Sequence, residues 1–226
     1  MSPVNVTADA EQFTCNAYLV DGEITTLVDA GAMPGVVDEV REHVDDVERV
    51  VLTHQHGDHV EQLDAVLDAF DGHESHRDSL ANQKSEISGD AELFAYDDHP
   101  RRTHEIEDGD EVQIGDETHE VVYTPGHADD HVAFVGETAL FSGDVVVYND
   151  GAFENGSFGR TDHAAGDRER LIESLRTILD RLPDSVEGLY AGHGDPFEAT
   201  AGESVRDVIE RALERAERRE PKYPEA

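Results

Sequence analysis

Hydrophobic and polar positions in the first half of the chain alternate between short apolar runs typical of strands and the spacing of an amphipathic helix. Residues 16–31, NAYLVDGEITTLVDAG, hold two short apolar runs around an Asp-Gly pair, which predicts a β-hairpin. Valines at helical spacing follow Pro34, and the apolar run RVVLT at 49–53 is typical of a short buried strand. Residues 60–70 return to helical spacing. This alternation of strands and helices predicts an α/β fold.

Strands dominate the pattern from residue 111 onwards. The segments EVQIG, THEVVYT, HVAFVG and TALFSGD each read as a strand, and two helices are predicted near 166–182 and 201–219, with the strand-like EGLYAG between them. The polar stretch 149–166 is expected to be a loop near the functional site. Since no linker or tandem repeat divides the sequence, we expect residues 1–226 to form a single domain.

Metal-ligand residue types are concentrated directly after the apolar run at 49–53, in the sequence THQHGDH. His54 and His56 are two residues apart at the end of an extended run, so their rings project to the same side. Asp58 and His59 follow where the chain turns into the next helix. Because α/β folds place chemistry at the C-terminal ends of strands, this segment predicts part of a metal site.

Three further candidates each follow a predicted strand and are flanked by small residues: His127 in TPGH, Asp144 in SGD and His193 in AGHGD. Together the seven side chains are nitrogen and oxygen donors without sulfur. Such a set suits zinc, iron or manganese, and two ions more naturally than one. Five other histidines are expected to be surface or core residues: His43, His73, His99, His104 and His119.

The motifs HQHGDH, TPGH, SGD and GHG, in this order, resemble the signature of the metallo-β-lactamase superfamily. The resemblance spans nearly the whole chain and implies an α/β fold of the αββα four-layer sandwich type, with two metal ions at one edge. It implies these ligands: His54, His56 and His127 for the first ion, Asp58, His59 and His193 for the second, and Asp144 as the bridge. An aspartate like Asp29 would support the ligand loop from behind. Glu61 and Gln62 replace a glycine pair found in many members, but no ligand is lost.

Finer motifs resemble short glyoxalase II-like enzymes, which hydrolyse hydroxyacyl thioesters. Residues 157–175, SFGRTDHAAGDRERLIESL, are similar to a segment of that group, and Arg160 would bind a carboxylate of the thiol. The resemblance implies attack by a hydroxide between two ions, expected to be Zn²⁺, with Fe or Mn as alternatives. Asp58 would orient that hydroxide, and Asp144 would be shared by both ions. Only 33 residues follow His193, so the helical extension that grips glutathione in larger members is expected to be curtailed.

Two other reactions fit the same kind of site. A persulfide dioxygenase shares the Gly-Arg-Thr-Asp segment but uses a single iron, and the complete second ligand set argues against it. An RNase Z-like nuclease uses a similar metal pair on phosphodiesters. The chain lacks a Lys/Arg cluster beyond two Arg-Arg pairs, so nucleic acid is disfavoured as a partner and a small-molecule thioester is favoured.

The charge of the chain indicates its working environment. Asp and Glu number 53 against 17 Lys and Arg, giving a formal net charge of −36, and the acidic residues are spread along the whole sequence. Dispersed acid with scarce lysine predicts a protein adapted to molar salt, as in a halophilic archaeon. The single cysteine, Cys15, is expected to be a packed core thiol. Without a secretory signal or an apolar span, the expected location is the cytoplasm; the oligomeric state stays open.

Overall fold

The computed structural model describes residues 2–70, 91–151 and 154–220, which contain two six-stranded mixed sheets. The strands of the first sheet lie in sequence order: β1 (Val4–Asn5), β2 (Tyr18–Val20), β3 (Thr26–Val28), β4 (Arg49–Val51), β5 (Glu92–Ala95) and β6 (His104–Glu105). Strands β3 to β6 run parallel, and β1 to β3 pair antiparallel. Three helices accompany this sheet: α1 (Val36–His43), α2 (Gly57–Val60) and α3 (Leu63–Phe70).

The second sheet is built from the C-terminal half in the spatial order β12-β11-β10-β9-β8-β7. Its strands are β7 (Glu111–Ile114), β8 (Glu117–Tyr123), β9 (Val132–Val135), β10 (Ala139–Gly143), β11 (Gly188–Ala191) and β12 (Phe197–Glu198). All neighbours are antiparallel except β10 and β11, which run parallel across the crossover made by α4 (Arg168–Arg181). Helix α5 (Val205–Glu217) follows β12.

Side-chain alternation along the strands creates three packed layers between four layers of backbone. In β4, Val50 packs towards α1 and α3, whereas its neighbour Val51 packs between the two sheets. In β8, Val121 faces the same inter-sheet layer, and Val122 packs under α4 and α5. Successive strand residues point to opposite faces, so each sheet has a helix-covered face and a sheet-covered face. The predicted αββα four-layer sandwich is confirmed.

The predicted hairpin at 16–31 is confirmed, with Tyr18 opposite Val28. The predicted helix at 60–70 differs from the structure, which has two short helices, α2 and α3, with a break at residues 61–62. The break follows from a competing hydrogen bond, because the backbone N–H of Gln62 donates to the carbonyl of Gly31 at 3.0 Å. The extra turn, α2, carries Asp58 and His59, and the carbonyl of His59 accepts from the backbone N–H groups of Ala30 and Gly31 at 2.9 and 3.0 Å.

The two long helices of the second half begin with side-chain caps. Asp167 accepts hydrogen bonds from the backbone N–H groups of residues 169 and 170 at the start of α4, and Ser204 with Asp207 forms a capping box on α5. Within the described ranges, no helix combines the length and the apolar character that crossing a membrane would need.

Candidate metal centre

The first four candidate ligands lie on the loop and short helix that follow β4. Burial differs among them: His54 and His59 are buried, whereas His56 and Asp58 are partly exposed. The loop after β4 lies at the C-terminal end of this interior strand and reaches the second sheet, where Nδ1 of His56 lies 2.9 Å from Nε2 of His127. Four donors therefore reach this end of β4 from six consecutive positions.

The other three candidates come from the second sheet, each from the end of a different strand. His127 follows β8, Asp144 follows β10 and His193 follows β11. A side chain at Gly192 would come within 2.3 Å of a carboxylate oxygen of Asp144, so glycine is required for the close approach of these two strand ends. The parallel pairing of β10 with β11 places both strand ends at the same edge.

The seven side chains converge into two triplets on either side of one carboxylate. The donor atoms within each triplet lie within 4.8 Å of one another: His54, His56 and His127 in the first, and Asp58, His59 and His193 in the second. The Oδ2 atom of Asp144 lies 3.3 Å from Nε2 of His127 and 3.4 Å from Nε2 of His193. The structure therefore brings together the seven side chains that the sequence resemblance implied as ligands.

Buried atoms without hydrogen-bond partners show that these residues fit a metal ion. Nε2 of His54, Nε2 of His59 and Oδ1 of Asp144 are all buried and make no hydrogen bond in the described structure. Unpaired buried polar atoms cost free energy, and they are rare in folded proteins unless a ligand satisfies them. All three atoms belong to the converging cluster, and neutral imidazole with carboxylate is a donor set that divalent transition metals accept.

Hydrogen bonds on the far side of each ring leave the correct nitrogen available. Nδ1 of His127 donates to the carbonyl of Arg160 at 2.8 Å, and because a carbonyl only accepts, Nε2 of His127 carries the lone pair. Nδ1 of His59 donates in the same way to Oδ2 of Asp29 at 2.8 Å. Outer partners of this type fix the tautomer and orientation of a ligating histidine.

Asp29 holds the ligand loop through three contacts. Besides His59, its carboxylate accepts from the backbone N–H and the hydroxyl of Thr53, both at 2.8 Å. Asp29 is itself buried and lies in the left-handed backbone region with φ 59°. A buried carboxylate with three donors therefore joins the end of β3 to the loop after β4, behind the metal-facing side, where the sequence resemblance located it.

Burial and neighbouring charges tune the protonation of the cluster. Burial lowers the pKa of His54, His56 and His127, so these imidazoles stay neutral at pH 7. Burial by itself raises the pKa of Asp144, but the nearby His193 and His59 outweigh it and hold that pKa well below its usual range. The triplet of His54, His56 and His127 thus presents neutral nitrogens beside an ionised carboxylate, as a metal ion requires. Burial by itself lowers the pKa of His59 and His193, but nearby anionic groups outweigh it and raise both pKa values, so a metal ion would displace a proton from each of these rings.

Sequence analysis missed two histidines of this centre. His131, buried at the start of β9, accepts the backbone N–H of Asp144 at Nε2 over 2.9 Å, and its ring lies 4.9 Å from that of His54. His163 lies 5.4 Å from His56 between ring centroids and lines the cavity. His131 stands four residues after His127 and begins the predicted strand HVAFVG, but this spacing does not distinguish it from a core residue. His163 lies inside the polar loop that was expected near the site.

The candidate ligands line a cavity of about 830 Å³. Its walls include residues of the predicted loop, among them Asn149, Gly159 and Arg160, which confirms that this stretch lies at the site; residues 152–153 lie outside the described ranges. The guanidinium of Arg160 pairs with Asp162 through Nε at 2.8 Å and Nη2 at 3.1 Å, and its side chain is 51% exposed. Arg160 therefore lies at the cavity with an acidic partner beside it.

The other residues singled out from the sequence lie apart from the ligand cluster, with one exception. Cys15 is a buried thiol, as predicted, and burial raises its pKa to about 11, but it packs beside Asp29 and His59. His119 is buried against Phe141 in the second sheet. His43, His99 and His104 are at least partly exposed, and His73 lies outside the described residues.

Comparison with known proteins places this geometry in a family. Residues 10–193 match the family model described as "Metallo-beta-lactamase superfamily". A protein named hydroxyacylglutathione hydrolase from Hydrogenovibrio crunogenus is 30% identical over 175 residues, which cover 76% of this chain and 54% of that protein. The probable metallo-hydrolase YqgX of Bacillus subtilis is 33% identical over 149 residues, covering 64% of this chain and 67% of YqgX.

Solved structures agree on the fold. The crystal structure of ETHE1 from Myxococcus xanthus superposes with a TM-score of 0.62 at 21% identity, covering 92% of this chain and 87% of that chain. The chain spans about half the length of the hydroxyacylglutathione hydrolases that it matches.

Proposed function

Because the chain belongs to the metallo-β-lactamase superfamily of metallo-hydrolases, we propose that it is a binuclear hydrolase that cleaves hydroxyacyl thioesters. The observation that carries the proposal is the pair of donor triplets flanking Asp144. The relatives named hydroxyacylglutathione hydrolase support the thioester as substrate, and Arg160 at the cavity is a group that would bind a carboxylate of the thiol. The whole described chain acts as one catalytic domain in this proposal.

Each triplet would hold one divalent ion, with Asp144 shared between them. Zn²⁺ suits the nitrogen-rich set best, and Fe or Mn are the alternatives. Two ions bound there would supply Lewis acidity for the thioester carbonyl and a hydroxide nucleophile at neutral pH. Asp29 and His131 act through the ligands that they orient, not on the substrate.

The chain's own side chains would position the reactants. Oδ2 of Asp58 lies 3.1 Å from Nε2 of His193 at the cavity, where Asp58 would hold the second ion together with that ring and orient the attacking water. Arg160 would bind a carboxylate of the thiol in place of its contact with Asp162. The leaving thiolate has a pKa of about 8.5 in a free cysteine, so its departure needs no separate general acid.

The proposal is tested on metal-loaded protein in high salt, with S-lactoylglutathione and a structured RNA offered in parallel. We expect two metal ions per chain, thioester hydrolysis and no RNA cleavage. Asp58→Ala should abolish turnover, whereas Asp64→Ala, a matched control on α3 whose side chain is 77% exposed, should not change it. RNA cleavage without thioester hydrolysis would instead identify a nuclease.

Arg160 is tested through the balance between binding and chemistry. Arg160→Ala should raise KM by about tenfold and change kcat little, because it removes a contact made equally in the ground and transition states. Asp162→Asn removes the competing carboxylate and should lower KM. If the protein contains one iron per chain and is fully active on a persulfide, the hydrolase assignment is wrong and the chain is a dioxygenase.

A further inference from the structure

Phe13 is a hydrophobic side chain held open to solvent at the metal centre. Its exposed fraction is 77%; within the described ranges the other exposed large hydrophobic residue is Val4, at 38%. The ring of Phe13 lines the cavity and stacks on the imidazole of His193, with centroids 5.2 Å apart and an interplanar angle of 18°. Exposed aromatic surface that borders a binding cavity is an apolar contact for a bound molecule.

The backbone two and three residues after Phe13 is hydrogen-bonded to both halves of the candidate metal centre. The N–H of Cys15 donates to the carbonyl of Asp58 at 3.2 Å, and the N–H of Asn16 donates to the carbonyl of Gly192 at 2.7 Å. Asp58 is a candidate ligand, and Gly192 immediately precedes the candidate ligand His193. The segment that carries Phe13 is therefore tied to both halves of the metal centre, and contact with the ring costs little additional ordering.

The cavity wall around Phe13 differs from the wall around Arg160. Between residues 5 and 16, every described side chain that lines the cavity is uncharged. Arg160 lies at the other triplet, where its carbonyl accepts from Nδ1 of His127. Because His127 and His193 contact Asp144 from the two triplets, the cavity has a cationic group beside one triplet and an aromatic ring beside the other.

We propose that Phe13 contacts the side chain of the substrate's acyl group, and that the preferred hydroxyacyl group carries an aromatic or extended aliphatic chain instead of a methyl group. The inference rests on the proposed thioester hydrolysis. With the thiol's carboxylate at Arg160 and the reacting carbonyl between the triplets, the acyl side chain extends towards His193 and Phe13. A phenyl or butyl group would bury apolar surface against the ring, which a methyl group is too small to do.

The test compares acyl groups on one thiol. S-Mandeloyl-, S-2-hydroxyhexanoyl- and S-lactoylglutathione keep the thiol, the hydroxyl and the thioester, and differ in the acyl side chain alone. We expect kcat/KM of the wild type to be about tenfold higher for mandeloyl than for lactoyl, mainly through KM. Phe13→Ala should lower the mandeloyl-to-lactoyl ratio of kcat/KM to about one.

Two further variants separate the contact from general effects. Phe13→Leu should keep the preference for hydroxyhexanoyl and lose much of that for mandeloyl, because it retains an aliphatic surface without a ring. Val4→Ala, the matched control at the other exposed hydrophobic residue, should change none of the ratios. Since Phe13 is largely exposed, removing its ring should not unfold the protein, and an unchanged melting temperature verifies this.

Three outcomes would overturn the inference. Equal kcat/KM for all three acyl groups in the wild type would show that no acyl contact exists. A Phe13→Ala variant that loses activity equally on all three, together with metal content, would show that the ring only shields His193. A fully metal-loaded wild type that hydrolyses none of the three thioesters would contradict the proposed function itself. This case differs from the first two because there the wild type hydrolyses S-lactoylglutathione.

Discussion

The two halves of the chain contribute to the metal centre in different ways. The N-terminal half, residues 2–70 and 91–105, supplies four candidate ligands from six consecutive positions after β4. The C-terminal half supplies three candidate ligands from the ends of three strands, β8, β10 and β11, which the chain brings together over more than sixty residues. One half therefore presents a local cluster, and the other presents an assembled one.

The geometry of the four candidates after β4 depends on a short stretch of sequence, whereas the other three come together only when the second sheet is folded. The local cluster can be predicted from the sequence because the two-residue period of a strand and the turn that follows it determine where the side chains point. The assembled set depends on the parallel pairing of β10 with β11 and on a glycine, Gly192, that lets the two strand ends meet. A change in the C-terminal half should therefore affect the metal centre through the fold, and a change in the loop should affect it directly.

The largest expected effect is at the residue shared by both triplets. Asp144→Asn should lower turnover at least a thousandfold, because it removes the one carboxylate placed between His127 and His193. Elemental analysis should show fewer than two ions per chain. His193→Ala, which removes a ligand of one triplet alone, should retain about one ion. Two ions in Asp144→Asn at full activity would contradict the bridging position.

The next largest effect is at a residue that contacts a ligand's backbone. His131→Ala should lower metal affinity or activity by about ten- to a hundredfold, as removal of outer partners does at other metal sites. The reason is that Nε2 of His131 accepts the N–H of Asp144. Metal affinity is measured by competition with a chelator. His131→Gln keeps a polar partner and should recover part of the loss; equal losses in both variants would assign the effect to packing against His54.

Salt should stabilise the two halves unequally. The helices α4 and α5 carry arginines paired with acidic residues, including Arg181 with Asp108 and Arg211 with Glu203, whereas α1 carries Asp38 and Glu39. Raising ionic strength from 0.01 to 1 M shortens the Debye length from about 30 to about 3 Å, which screens repulsion and attraction alike.

The melting temperature of the whole protein should therefore rise with potassium chloride, because the net charge is −36. Hydrogen exchange should show protection rising by about tenfold in α1, and by less in α4, in α5 and in α3, whose acidic residues Asp64 and Asp68 pair with Arg101. A melting temperature that is flat or falls with salt would contradict the adaptation to molar salt.

The smallest expected effect concerns acid stability away from the metal centre. Burial lowers the pKa of His119 below its ordinary value of 6.5, so the unfolded chain binds this proton more readily than the folded one. The contribution to stability is therefore full above pH 6.5 and decreases as the pH falls below it.

Between pH 7.5 and 5.5, His119→Leu should lose about 1 kcal/mol less free energy of unfolding than the wild type. Both proteins are measured with a chelator present, so that the ligand histidines contribute equally to the two curves. Identical pH dependence would show that acid sensitivity of the second sheet comes from the metal centre alone.

The sequence predicted the hairpin and most helices, and it indicated the seven side chains that the structure brings together, because each depends on a local pattern. It did not predict the break between α2 and α3, because that break depends on a hydrogen bond to Gly31, distant in sequence. His131 was missed for the same reason. Its part in the site is a contact with the backbone of Asp144, and no spacing within TPGHADDH indicates that contact. The ring of Phe13 on His193 likewise joins residues at opposite ends of the chain.

The hydrogen bond from Asn16 to Gly192 has a consequence for how the protein matures. It joins positions 176 residues apart, so it forms only after synthesis has passed β11. Until then the emerging chain carries the four candidate ligands that follow β4 without the three from the second sheet. Contacts of such large sequence separation form late and slow the search for the native state. If the centre binds metal as proposed, the complete set of ligands would be available only after β11 has joined the second sheet.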